Sequence, residues 1–423
     1  MQVVVEPSPD TPLVWFEIAI RGGASADPLG IEGLHRHAAL LARRGAGTRA
    51  RAALDETLDG LGAALEVGVS RDSLAVSGLA LARHLDAVID LAADVLAAPR
   101  FDADEHARLL RETPQVLDEI RDDDSALATR WFDWLCSPGH PYGRTSLGTE
   151  SSLAKIDRAD AMALWRREVV PENLIVGLAG DVDEARAQAL AARLVERLPR
   201  GTRVPLPAEP APRTRGRRAI LVDKPDRTQA QLRIGHLATR YGHPDTPALA
   251  IAEAVLGGMF SSRLMQEIRV KRGWSYGAGC ALRRSHLPHW FEIWTAAAIE
   301  VAGPAAALTL ELYADYAARG PTDDEVDFAR SYLVGAMPFH VATARQRMQL
   351  AVRDAVFDLP ADYTAKLPEA LGQLAAADVR AACARHFHPD DAVTVAVTTA
   401  DTARDALAAA NAGPVTIVRH DEY

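Results

Sequence analysis

Residues 260–277, FSSRLMQEIRVKRGWSYG, read as a helix that runs straight into a strand. Ser261 and Ser262 can cap the helix, because a serine hydroxyl accepts the free N–H groups of a first turn. Leu264, Met265 and Ile268 recur at helical spacing and mark a buried face. Gly273 supplies the left-handed residue that ends such a helix. Trp274, Tyr276 and Ala278 then alternate as on one face of a strand. Arg269 and Tyr276 flank the corner, where a guanidinium and a phenol can together hydrogen-bond a peptide carbonyl or a carboxylate. Both also have an ordinary reading, since Arg suits a helix C-terminus and Tyr suits a strand.

Working outward, this corner belongs to a unit that occurs twice. PLVWFEIAI from Pro12 has its counterpart in QAQLRIGHL from Gln229. The helix pattern at residues 34–43 answers to residues 249–256. The helix after Thr48 answers to the one after Ser262, with Gly60 matching Gly273 before a strand. The last strand of each copy begins near Pro171 and Pro389. One element order at one offset is a duplication. Each copy reads strand, two helices, two strands, a helical block and a final strand. The fold class is therefore α+β, two homologous domains, each a mostly antiparallel sheet with helices on one face. Residues 200–218, RGTRVPLPAEPAPRTRGRR, have a Pro/Arg-rich linker composition. The expected domains are 1–199 and 219–423.

Composition narrows the function classes. A chain of 423 residues exceeds what one core usually serves. Nearly half the residues are apolar and a quarter charged, as in ordinary globular proteins. The net charge of −10 argues against a nucleic-acid binder. Cys136, Cys280 and Cys383 are odd in number and far apart, so neither a disulfide framework nor a zinc-finger spacing is present. No apolar run is long enough for a membrane span. The opening MQVVVE lacks the basic and apolar regions of a signal peptide, which favours the cytoplasm, or the periplasm if a presequence has been trimmed.

Five segments in order, residues 33–45, 140–150 (HPYGRTSLGTE), 171–183 (PENLIVGLAGDVD), 257–277 and 320–326 (GPTDDEV), resemble the pitrilysin/insulinase superfamily of zinc peptidases. The branch they are most similar to is that of the mitochondrial processing peptidase and its bacterial relatives. The resemblance implies half of a clam-like chamber. It also implies an inverted zinc motif, His-x-x-Glu-His, in which two histidines on one helix face hold the metal and the Glu acts as base on its water. Flanking glycines place those positions at Arg36, Ala39 and Leu40, so the ligands and the base are absent. The family's later acidic pair, Glu-x6-Glu, has a match in Glu112 and Glu119, with Pro114 between them expected to kink or restart the helix.

Other residues carry donors suited to the same chemistry. His35 and His37 stand beside the degenerate motif but project roughly 200° apart on a helix, so they cannot share an ion unless it unwinds. His386 and His388 would share a strand face if extended, without an evident third ligand. Gly257–Met259 lacks the Lys-Ser/Thr of a phosphate loop.

The Arg/Tyr pair is intact, and the resemblance makes Arg269 and Tyr276 binders of substrate backbone. The expected function is a non-catalytic, substrate-binding subunit. It would hold no cofactor and would pair as a heterodimer with a homologous, zinc-bearing peptidase subunit to cleave peptides. Two rivals follow: a scaffold without a proteolytic role, and an active zinc peptidase with a site rearranged around His35 or His37 and Glu112 or Glu119.

Overall fold

In the computed structural model, which describes residues 1–205, 209–411 and 415–422, the duplication appears as strand topology. The first sheet contains strands Gln2–Pro7, Leu174–Gly180, Leu13–Arg21, Ser73–Leu81 and Ala64–Val69, neighbours in that order. The second runs Val415–Arg419, Arg218–Asp223, Val393–Thr398, Gln229–Leu237, Trp290–Ala298 and Ser275–Leu282. Apart from the added strand Val415–Arg419, the two orders match strand for strand. Among the matching strands, the first pairs parallel with the last and the others pair antiparallel, while Val415–Arg419 adds a second parallel pair on Arg218–Asp223. Pro171 and Pro389 each open a single 3-10 turn just before that last strand. Gly62 and Gly273 both take left-handed φ values, +60° and +64°. Gly62, rather than Gly60, is thus the counterpart of Gly273.

The two units are not the contiguous stretches 1–199 and 219–423. One comprises residues 1–116, 145–208 and 338–365; the other comprises 117–144, 209–337 and 366–423. The exchanged segments are helices, and each covers a sheet face that would otherwise be bare. In the first unit, helix Ala344–Val356 places Met348, Val352 and Ala355 against Ala19, Ile175 and Ala179. Gly177 makes this approach feasible, since a Cβ there would lie 2.5 Å from Met348 Sδ. The helix starts at a capping box in which Thr343 and Gln346 bond reciprocally.

In the second unit, helix Asp124–Cys136 is capped by Asp123. It buries Leu127, Trp131 and Phe132 against Ile220, Val222, Val395 and Val397. The intervening residues Leu221 and Ala396 face the opposite way, onto Ala305, Ala306 and Leu407. Helices therefore pack on both faces of this sheet, one of which is covered by the exchanged helix. Period-2 alternation cannot reveal this, because a strand covered on both sides is apolar throughout.

Pro114 does not break its helix, which is continuous over Ala103–Asp122. Of the expected linker, residues 206–208 lie outside the described residues; Ala211 further along it is buried with the Asp124–Cys136 helix. Among the described residues no helix is long and apolar enough to cross a membrane.

Candidate functional site

The helix Leu34–Ala42 occupies the place of the zinc helix. Gly33 enters it at φ +92°, and the Asp27 carboxylate accepts the Gly33 and His35 amides at 2.8 and 2.9 Å. Arg36 is partly buried and makes no ion pair among the described residues, Ala39 is buried, and Leu40 is half-buried. A guanidinium, a methyl and an isobutyl group offer a metal no donor, so these residues do not fit zinc.

The nearby histidines have other partners. His35 is fully buried, with Nδ1 2.6 Å from Asp27 Oδ1 and Nε2 3.0 Å from Glu168 Oε2. Burial alone would lower its pKa, but hydrogen bonds and charge from Asp27 and Glu168 outweigh it and raise the value to about 9. His35 is thus an imidazolium bridging two carboxylates. His37 meets His106 at 2.8 Å, and desolvation, aided by His106, Arg44 and Arg36, takes it down to about 4. Glu112 is exposed and ion-paired with Arg44, which also reaches Glu105 at 3.4 Å. Glu119 is exposed on the same helix. No three of His35, His37, Glu112 and Glu119 bring ligand atoms around one point, so the rearranged site is not assembled.

The corner at residues 260–277 differs locally from its reading in sequence. The helical turn at Met265–Val270 is π-helical, with the Lys271 amide bonding five residues back to Gln266 at 2.9 Å. Such widened turns occur often at functional sites. Among the described residues no serine side chain caps the segment, and the buried Ser262 hydroxyl has no hydrogen-bond partner. A bulge between Ser275 and Ala278 breaks the alternation expected of Trp274, Tyr276 and Ala278. The extra residue turns Tyr276 out to 88% exposure while Ser275 and Ala278 stay buried.

Arg269 and Tyr276 come together, by stacking. The Arg269 guanidinium lies 4.8 Å from the Tyr276 ring centroid and 5.0 Å from that of Phe260, which is 66% exposed. Two rings hold the guanidinium by their faces, leaving its N–H edge and the phenol hydroxyl without hydrogen bonds among the described residues. The neighbouring cations Lys271 and Arg272 are tied to Glu267 at 2.5 and 2.6 Å. Arg269 is therefore the cation of this turn with no acidic partner among the described residues. Phe260 is not legible as a site residue in the sequence, since a lone aromatic before a helix carries no signal until the turn brings it back over Arg269.

Two family models match the chain in succession: Insulinase (Peptidase family M16) over residues 2–140, and Peptidase M16 inactive domain over residues 155–333. The chain belongs to the M16 family. It is 28% identical over 306 residues to an uncharacterized zinc protease of Mycobacterium tuberculosis, covering 71% of this chain and 69% of that one. It is 23% identical over 366 residues to the non-peptidase homolog YmxG of Helicobacter pylori, covering 86% and 84%. The crystal structure of a peptidase M16 inactive domain from Pseudomonas fluorescens superposes with a TM-score of 0.87 at 24% identity, over 94% of this chain and 95% of that one; it shares the fold.

Proposed function

We propose that this chain is the substrate-positioning, non-catalytic subunit of a two-chain zinc peptidase, pairing with a homologous subunit that carries the zinc and its glutamate base. The observation that carries this reading is the exposed Arg269–Tyr276 pair, built on a π-helical turn and a bulge. Alongside it, Arg36, Ala39 and Leu40, at the motif positions of the zinc helix, offer no metal donor. The H. pylori relative that is called a non-peptidase homolog supports the reading.

In this role, the free N–H edge of Arg269 and the Tyr276 hydroxyl bond the backbone of an extended peptide. Recognition through main-chain groups gives affinity with little demand on side chains. Holding the scissile carbonyl in place lowers the barrier without a nucleophile from this chain.

The test is reconstitution with a homologue bearing an intact His-x-x-Glu-His motif. Arg269→Ala is expected to lower turnover by about 100-fold, with zinc content and complex assembly unchanged. Unchanged turnover in an assembled complex overturns the assignment and favours a scaffold role.

A further inference from the structure

We infer that His243, Asp245 and His386 form a binding site for a divalent first-row metal ion, zinc in the first instance, unrelated to the degenerate zinc helix. The sequence pairs His386 with His388, which would share a strand face if extended, without a third ligand. The structure separates that pair. His386 is the last residue of helix Ala376–His386, whereas the amide of His388 turns to His236 Nε2 at 3.1 Å.

His386 instead meets the segment that leads into helix Thr246–Glu253. Its Nε2 is 2.7 Å from Asp245 Oδ2, and His243 Nδ1 is 3.8 Å from the same oxygen. The two imidazoles stand edge to face with centroids 4.8 Å apart. One ligand atom from each residue lies within 4.8 Å of the others, the sole such group among the described residues. Around a tetrahedral ion with bonds of about 2.0–2.1 Å, ligand atoms sit roughly 3.3 Å apart. The two carboxylate–imidazole spacings bracket that value, and the two ring nitrogens, within 4.8 Å of each other, close to it by a movement of the side chains.

The surroundings suit an ion in several respects. Arg385 grips Asp245 through both oxygens, at 3.0 and 2.9 Å. With Oδ2 on a metal, Oδ1 keeps one of these bonds, the kind of outer contact that orients a ligating carboxylate. His243 Nδ1 now accepts the Asp245 amide at 3.1 Å, a contact exchanged for the metal bond. Arg240 and Arg385 oppose the ion's charge and keep the affinity below that of a four-ligand structural site. A solvent molecule completes the coordination, since all three side chains are only partly buried. The ion would tie the start of one helix to the end of another, so it should stabilise the fold by mass action.

The test uses the full chain, stripped with chelator and dialysed against micromolar Zn2+ or Co2+. Expected are about one ion per chain, visible Co2+ absorption of a four-coordinate site, and a Tm that rises with zinc. His386→Gln should weaken binding by at least about tenfold and remove the Tm rise; His243→Gln, on a loop, serves if the first variant fails to fold. His37→Gln should leave binding intact. Absence of bound ion, or an ion retained by both His243→Gln and His386→Gln, overturns the assignment. No peptidase activity enters the readout, so the result is independent of the proposed function.

Discussion

Replacing His35 by Gln takes a cation from between two carboxylates that have no access to water. Asp27 and Glu168 are 2% and 0% exposed, and His35 bonds both. A rise from 6.5 to about 9 corresponds to about 3 kcal/mol of folded-state preference for the imidazolium. Breaking a buried pair by deleting one partner costs ~3–5 kcal/mol. The lower end applies here, because Arg167 still reaches Glu168 at 2.7 Å and Asp27 keeps two amide donors. At ~2–4 °C per kcal/mol for a unit of this size, Tm should fall by about 6–12 °C at pH 6. The pH dependence has a definite sign. The folded-state pKa lies above the unfolded one, so the contribution is complete below pH 6.5 and is lost as pH rises through about 9. Calorimetric melts of wild type and His35→Gln should therefore differ most at pH 6 and converge by pH 10. A gap that widens with pH, or a cost below about 1 kcal/mol at pH 6, would refute the bridging imidazolium.

Two further predictions concern the sheets. Gly177→Val places a branched side chain where Met348 Sδ and Val352 Cγ2 would lie 2.5 and 2.6 Å from its Cβ. It should cost ~1–3 kcal/mol in urea unfolding, with partial recovery in combination with Met348→Ala; an unchanged midpoint would contradict the packing. His236 is buried, bonded at Nδ1 to the Leu237 carbonyl at 3.0 Å, and held by desolvation at about 4. Its folded pKa lies below the unfolded value, so its contribution is present above pH 6.5 and lost as pH falls through about 4. NMR should find the ring neutral at pH 5.5, and a midpoint near 6.5 would exclude this.

The duplication was legible because each copy repeats apolar periods and turn residues in one order. Helix exchange was not legible: residues 117–144 and 338–365 look like any amphipathic helix, and nothing local says which sheet they cover. At the candidate site, the pairing of Arg269 with Tyr276 was readable from spacing and resemblance. The stacking, the π-helical turn and the part of Phe260 were not, because a bulge and a widened turn carry little residue signature. The histidines show the same limit. The sequence marks His35 and His386 as metal candidates, but their partners Asp27, Glu168, His243 and Asp245 are set by tertiary placement.

The exchanged helix Ala344–Val356 also bears on how the chain is made. The strands of the first sheet, through Gly180, emerge from the ribosome long before their cover does. At ~5–20 residues per second the delay is on the order of ten to thirty seconds. Throughout that interval Trp15, Ala19, Ile175 and Ala179 present an unshielded apolar surface to the cell. The nascent protein therefore passes through an obligatory sticky stage, and holdase chaperones that cap such surfaces should govern its yield more than the stability of the finished fold.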